Sequence, residues 1–488
     1  MSLSFDPGRL TLPRGHFIGG ASVPGTAALE LTRPSDGQPL GAIPVADAAV
    51  VDQAVAVAAR AQRESGWGSG QPRDRTRALH RWADLIEAHA IELAQLEAVA
   101  STRLVSQLPG IDVAVTAEQI RFFAEMADKE GGALVPTRDS ALGLVMDEPY
   151  GVVGAITPWN FPISMAGWKL APALAAGNAV VLKPSEMTPF ATLRLVELSV
   201  EAGIPAGLVN VVLGDGPVTG AALTGHPGIG KVSFTGSTGA GSAIMANVAR
   251  TGVKPMTLEL GGKSPQLVFA DADLELAARL IAGSILFNGG QACVAGSRVI
   301  VDARVAGALT DRLVGLMQAR RTPGPAWDAA TDYSPAISAR QRDRVDGIVQ
   351  AGIAAGAEAL CGAAAMDRPG FFYEPTLLVG VSADNPAVTD EIFGPVLTLQ
   401  TFADEDEGLA LADHPIYGLC AGVYTRDLSR AIRATRAIAA GTVWVNRYGR
   451  SRDHILPTGG YKASGLGKDL GRDAYHANRR TKSVLIDI

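Results

Sequence analysis

Cysteine is scarce in this chain. Its 488 residues include three, Cys293, Cys361 and Cys420, and no two of them stand in a CxxC pair. This excludes a disulfide framework or a thiolate zinc site and points to a reducing compartment. No metal is expected. Excess positive charge is missing too. The 43 Lys and Arg residues are outnumbered by 49 Asp and Glu, for a net charge of −6 and a pI near 5.7. A surface of that balance offers no electrostatic footprint for nucleic acid. Long apolar runs are absent: the stretch Leu170 to Leu182 is broken by Pro172, Gly177 and Asn178. It falls short of the roughly 20 apolar residues that span a bilayer, so no membrane partner is expected. Residues Met1 to Pro7 show neither a basic start nor an apolar segment. No signal peptide is therefore expected, and the expected location is cytoplasmic.

What is abundant is apolar material, at 47% of residues. At roughly 150 residues per domain, a chain of this length should divide into about three units. Residues 16–45 alternate short apolar runs with turn residues and read as hairpins. From Ala46 to about Arg103, apolar residues recur at helical spacing (Val51, Ala54 and Val55, then Leu79, Trp82 and Ile86), and a second helical stretch covers Ile111 to Ala127. From Gly151 the rhythm becomes strand, turn, helix. The apolar runs Val152–Ile156, Ala179–Leu182, Val209–Leu213 and Val232–Phe234 come first, and Gln266–Phe269 opens a second series reaching about Trp444. Such alternation predicts an α/β chain with two doubly wound, Rossmann-like domains joined near residue 260. Residues 129–149 read as an extended excursion, and Thr481–Ile486 as a strand with no partner of its own. Both are candidates to be covered by a second copy, the alternative being that each pairs within its own subunit.

Three residues stand out chemically. Cys293 lies in Gly289-Gly290-Gln291-Ala292-Cys293-Val294-Ala295-Gly296, where small neighbours leave a sulfur approachable, as a nucleophile requires. Glu259 follows Leu258 and precedes Leu260-Gly261-Gly262. A carboxylate among leucines at a strand end is either paired or functional, and burial would raise its pKa toward that of a general base. Asn160, in Pro158-Trp159-Asn160-Phe161-Pro162, is pinned between prolines. Its amide would serve an oxyanion hole, or else satisfy its own turn. Gly236-Ser237-Thr238-Gly239-Ala240-Gly241 follows a strand and opens a helix, the setting in which backbone N–H groups bind phosphate. Its spacing is not GxGxxG, so alone it is a weak dinucleotide signal. Lys183-Pro184-Ser185-Glu186 leaves another strand end, where Lys183 would reach phosphate or ribose and Glu186 the ribose hydroxyls.

These segments, with Glu391-Ile392-Phe393-Gly394-Pro395 and Gly459-Gly460-Tyr461-Lys462-Ala463-Ser464-Gly465, resemble the aldehyde dehydrogenase superfamily in content and order over nearly the whole chain. The resemblance implies an NAD(P)-dependent oxidoreductase that turns an aldehyde into a carboxylic acid. Cys293 would form a thiohemiacetal and then a thioester, Asn160 and the Cys293 N–H would hold the oxyanion, and Glu259 would activate the hydrolytic water. It also implies that Ile156, Trp159, Lys183, Ser185, Glu186, Gly236, Ser237, Gly241, Leu260, Glu391 and Phe393 line the cofactor, NAD with NADP as the alternative. Phe161, Met165, Trp168, Phe287 and Val294 would form a largely apolar substrate tunnel, with Arg447 at its mouth.

The implied layout is a cofactor domain of residues 1–128 and 150–259, a catalytic domain of 260–460, and oligomerisation segments 129–149 and 473–488. A homodimer or homotetramer would follow. Relatives often carry Glu where this chain has Asp469, the implied relay partner of Lys169, so the shorter side chain puts that relay in question. The loop carrying Arg447, Arg450 and Arg452 is unusually basic. Either these arginines read an anionic substrate, or they are solvated and paired nearby, which is commoner for loop arginines. A cysteine hydrolase, the rival from another class, would need a histidine to activate its thiol, and none of the seven lies in a matching motif.

Overall fold

The computed structural model describes residues 3–25, 28–319, 321–450 and 452–488. The first two residues of the segment searched for a leader therefore lie outside it.

The apolar runs form strands because they are buried on both faces. Every residue of Val152–Ile156, Ala179–Lys183 and Lys231–Thr235 is buried, as expected of strands inside a parallel sheet. The first sheet has eight strands. Its centre runs Val209–Val211, Ala179–Lys183, Val152–Ile156, Lys231–Thr235, Met256–Glu259, all parallel. Chain order reverses between Val152–Ile156 and Lys231–Thr235, and a sheet of this kind binds ligands beyond its carboxyl edge at that reversal. The hairpin His16–Ile18 and Ala21–Val23 extends one edge, and the short strand Gly465–Leu466 closes the other.

The second sheet has seven strands, and its interior strands, including Pro265–Val268, Arg298–Asp302 and Cys420–Tyr424, are parallel. Several of the helices begin where the sequence supplies caps. Asp47 accepts from Ala49 N and Val50 N at the head of Ala48–Glu64, and Ser237 accepts from Ala240 N at the head of Thr238–Thr251.

The excursion forms a separate three-stranded sheet, and here one expectation is corrected. The C-terminal strand Arg479–Asp487 has a partner in its own chain: it runs antiparallel along Ala141–Pro149, from Arg479 opposite Pro149 to Asp487 opposite Ala141. Opposite charges help fix this register, since Lys482 pairs with Glu148 and Arg479 with Asp147. A segment read by itself cannot reveal a partner so distant in sequence. The expected tail of 473–488 also narrows, because Ala474 and Tyr475, on the helix Gly471–Ala477, are buried in the core around the first sheet. Leu134, Met146, Leu485 and Ile486 of the small sheet remain exposed. Among the described residues no helix is long and apolar enough to cross a membrane, and no cluster of His, Cys, Asp and Glu is suited to hold a metal.

Candidate active site

A cavity of about 880 Å³ lies between the carboxyl ends of the first sheet and the loop before strand Arg298–Asp302. Cys293 opens into it, half-buried, from the Phe287–Gly290 turn. Asn288, Gly289 and Gly290 take φ of 52°, 59° and 72° in succession, a left-handed run that throws the following residues back toward the first sheet. Gly290 is required there, since a Cβ would stand 2.0 Å from Gly394 O. Gln291 then locks the loop: Nε2 donates to Asn288 O at 3.0 Å and Pro335 O at 2.8 Å, while Oε1 accepts from Ile337 N at 2.9 Å.

Asn160 lines the same cavity and is held by this loop. Its Nδ2 donates to Gln291 O at 3.0 Å, and its backbone carbonyl accepts from Asn288 Nδ2 at 3.0 Å. Thr102 Oγ1 in turn donates to Asn288 Oδ1 at 2.6 Å. The amide is thus fixed within two residues of Cys293, as an oxyanion donor needs to be. Burial pushes the Cys293 thiol up to about 12, and Arg450 is the charged group that pulls it back down. The thiol therefore carries its proton at neutral pH until a base removes it.

Glu259 ends the strand Met256–Glu259 and is buried behind the cavity wall. Among the described residues its Oε1 has no hydrogen-bond partner, and Gly459 leaves the room in front of it, where a Cβ would stand 3.0 Å from that oxygen. Burial, and next the charge of Asp469, raise its pKa to about 8, with Lys169 opposing. Lys169 Nζ donates to Asp469 Oδ2 at 2.5 Å, so the shorter acid does reach its partner. Lys231 is buried in the same neighbourhood and falls to about 8 by loss of solvent; it escaped the sequence reading because a lysine opening a strand looks like a solvated end.

The cavity divides by chemistry. Toward the first sheet it is lined by Trp159, Gly236, Ser237, Leu260, Glu391 and Phe393. Trp159 meets Phe393 edge to face at 5.3 Å, and Glu391 Oε1 accepts from Gly262 N at 2.9 Å. Ile156 and Lys183 do not line it. They stand in register on adjacent strands at the carboxyl edge, with Phe234 opposite Ile156. Lys183 Nζ donates to Pro184 O at 3.0 Å and lies 3.5 Å from Glu186, and Ser185 is buried beside them. Gly241 also lies off the wall; its bare Cα gives space to Leu260, whose side chain would stand 2.6 Å from a Cβ there. Along this edge Thr157 Oγ1 and Thr235 Oγ1 are buried without partners among the described residues. Unsatisfied donors, a buried lysine and the N-terminus of the helix Thr238–Thr251 at a strand-order reversal fit the phosphates and ribose hydroxyls of a dinucleotide.

The other end is apolar, with Phe161, Met165, Trp168, Phe287 and Val294 on its wall. Phe161 and Phe287 stack at 5.8 Å, and the buried Arg103 guanidinium lies 4.5 Å from the Phe287 ring while pairing with Asp112 at 2.8 Å. Arg447 is corrected: it is exposed, reaches Gly449 O at 3.4 Å, and is not on the wall, whereas Arg450 and Arg452 are. The positive φ of Asn446 (53°) and Gly449 (93°) sets which arginine turns inward. Cys420 also proves to be a wall residue, with Sγ 3.2 Å from Ser264 Oγ and 3.4 Å from Tyr448 Oη. Its sequence surroundings carry no sign of this, because both partners are far away in the chain.

Comparison with known proteins places the chain in a family. A model of the aldehyde dehydrogenase family matches residues 22–484. Cytosolic 10-formyltetrahydrofolate dehydrogenase of Xenopus tropicalis is 38% identical over 484 residues, covering 98% of this chain and 53% of that protein. The chain thus spans about half the length of the curated relatives it matches. Among solved structures, an indole-3-acetaldehyde dehydrogenase complexed with NAD+ superposes with a TM-score of 0.96 at 37% identity, over 99% of this chain and 98% of the other. Gamma-glutamyl-gamma-aminobutyraldehyde dehydrogenase from Burkholderia cenocepacia J2315 gives 0.95 at 40% identity, over 99% and 98%.

Proposed function

This chain belongs to the aldehyde dehydrogenase family, and from that premise we propose that it oxidises an aldehyde to a carboxylic acid with NAD through a thioester on Cys293. The observation that carries the reading is the shared cavity: an approachable thiol and a fixed amide open into one space between an apolar pocket and a dinucleotide-type strand edge.

Cys293 gives up its proton to solvent water in the cavity as its sulfur bonds to the aldehyde carbon. The carbonyl oxygen becomes an oxyanion in reach of the Asn160 amide and the Cys293 N–H, and such donors contribute about 3–4 kcal/mol each. NAD, when bound, supplies the hydride acceptor that turns the thiohemiacetal into a thioester. Lys183, Ser185 and Glu186, with Ile156 at the adjacent strand end, would hold its adenosine half. Gly236, Ser237 and the Gly241 helix start would take the phosphates, and Trp159, Leu260, Glu391 and Phe393 the remainder. Glu259, ionised above about pH 8, takes a proton from water, which attacks the thioester carbon and frees the Cys293 thiolate. Lys169 and Asp469 carry that proton onward.

We assign residues 1–128 and 150–259 to cofactor binding and 260–460 to catalysis. The exposed edge of the small sheet, from 129–149 and the strand Arg479–Asp487, would join a second copy in a homodimer or homotetramer. The curated relatives are named cytosolic, which supports a cytoplasmic placement. The test is NADH absorbance with aliphatic, aromatic, cationic and ω-carboxylate aldehydes, each with NAD and with NADP. Failure of every aldehyde to reduce either cofactor would overturn the reading.

A further inference from the structure

Two guanidinium groups on the cavity wall are left over by the chemistry above. Arg450 sits over the Trp168 ring, its Cζ 4.3 Å from the ring centroid, and donates from Nη1 to Thr458 Oγ1 at 2.5 Å. Among the described residues it has no carboxylate within ion-pairing distance, and it is exposed on the cavity lining. Arg279, on the helix Leu274–Leu286, lines the same wall and has neither a hydrogen bond nor an ion pair among the described residues. The other charges there are engaged, Arg344 by a bond to Glu391 O at 2.9 Å beside the cofactor-side wall. Arg452 donates to Glu118 at 2.7 Å and to Gly110 O at 3.1 Å, and Asp112 is taken by Arg103. The wall also carries Asp453.

A guanidinium has five N–H donors in one plane, and Thr458 uses one of those on Arg450. The contact with Trp168 and the bond to Thr458 restrain the side chain, so less side-chain entropy is lost when an anion docks. The remaining fork suits the two oxygens of a carboxylate. Its position is on the reacting side of the cavity, since its charge is felt at both Cys293 and Glu259. The wall around it, Met165, Trp168 and Leu456, is apolar and suits a methylene chain.

We infer that the aldehyde oxidised at Cys293 carries a carboxylate at its far end, bound by the fork of Arg450, with Arg279 as the second cation of that wall. This rests on the reading of Cys293 as the nucleophile. It goes against the ordinary expectation for loop arginines, because this one is oriented by an aromatic face and lacks an acidic partner.

The test pairs two aldehydes of equal length, 5-oxopentanoate and pentanal. The unmutated enzyme should prefer 5-oxopentanoate in kcat/KM by about tenfold or more, mainly through KM, as expected for a partly desolvated charge-assisted pair. Arg450→Gln should bring that ratio close to one, Arg450→Lys should keep part of it, and Arg279→Gln should lower it less. A second readout needs no variant: glutarate should slow alkylation of Cys293 by iodoacetamide in the unmutated protein, where glutaramide should not. Pentanal oxidised as well as 5-oxopentanoate, or an unchanged ratio in a folded Arg450→Gln, would overturn this inference alone. A phosphate-terminated aldehyde outrunning both would overturn the carboxylate assignment. If no aldehyde is oxidised, the parent reading falls and this one with it.

Discussion

Lys169 Nζ meets Asp469 Oδ2 at 2.5 Å with both side chains buried, and these two charges act in opposite directions on Glu259. As a base, Glu259 works only when ionised. With its pKa raised to about 8, thioester hydrolysis should speed up with pH below 8 and level off above it. Lys169→Met leaves Asp469 uncompensated and should move the inflection upward. Asp469→Asn removes the repulsion and should move it downward. Single-turnover hydrolysis across pH 6 to about 10 reads both; shifts in the same direction would remove the pair from the relay.

Glu259→Gln should still complete the redox half-reaction. A burst of NADH would be followed by turnover slower by about 10²–10⁴-fold, the range of a lost general base. Mass spectrometry of the stalled protein should find the acyl group on Cys293. Normal turnover with no adduct would exclude the role.

Among the thiols, Cys293→Ala should lower turnover by about 10³-fold or more while leaving NAD binding intact. Cys361→Ala should be silent. Cys420→Ala, which loses contacts to Ser264 and Tyr448 in the cavity wall, should fold and cost no more than severalfold. Equal loss at Cys420 would move the chemistry off Cys293.

NAD should be preferred over NADP. Glu186 stands beside Lys183 at the strand edge, 38% exposed, and a 2′-phosphate there would set negative charge against a carboxylate. Lys183 tempers the effect. The ratio of kcat/KM for the two cofactors reads it, and Glu186→Gln should narrow the gap.

Leu485 and Ile486 are exposed on the small sheet. If that edge meets a second copy, Leu485→Asp should lower the sedimentation coefficient with little change in Tm, since nothing in the subunit's own core is lost. A single species of the same size in both proteins would place the association elsewhere.

The sequence made the parallel strands legible because burial on both faces leaves unbroken apolar runs at Val152–Ile156 and Lys231–Thr235. Cys293 and Asn160 were legible for another reason: glycines and prolines constrain backbone locally, and the structure brings both residues to one cavity. Contacts between distant segments were not. Arg103 under Phe161 and Phe287, Cys420 against Ser264, and Arg279 facing the cavity depend on how separate elements dock, and no local pattern carries that. Three arginines within six residues look alike in the sequence, and the left-handed turns at Asn446 and Gly449 decide that Arg450 faces inward and Arg447 outward.

The pairing of Glu259 with Gly465, and of Leu260 N with Ser464 O, bears on the order of synthesis. On the ribosome the strand Met256–Glu259 emerges before any of the second sheet, yet the short strand that closes its edge is made after all of it. At about 5–20 residues per second, that edge stays open for tens of seconds with unpaired N–H and C=O groups. The nascent chain is therefore most prone to self-association in this interval, and ribosome-bound chaperones should engage it most strongly there. The carboxylate on which turnover is proposed to depend gains its final frame only once the whole second sheet has been made.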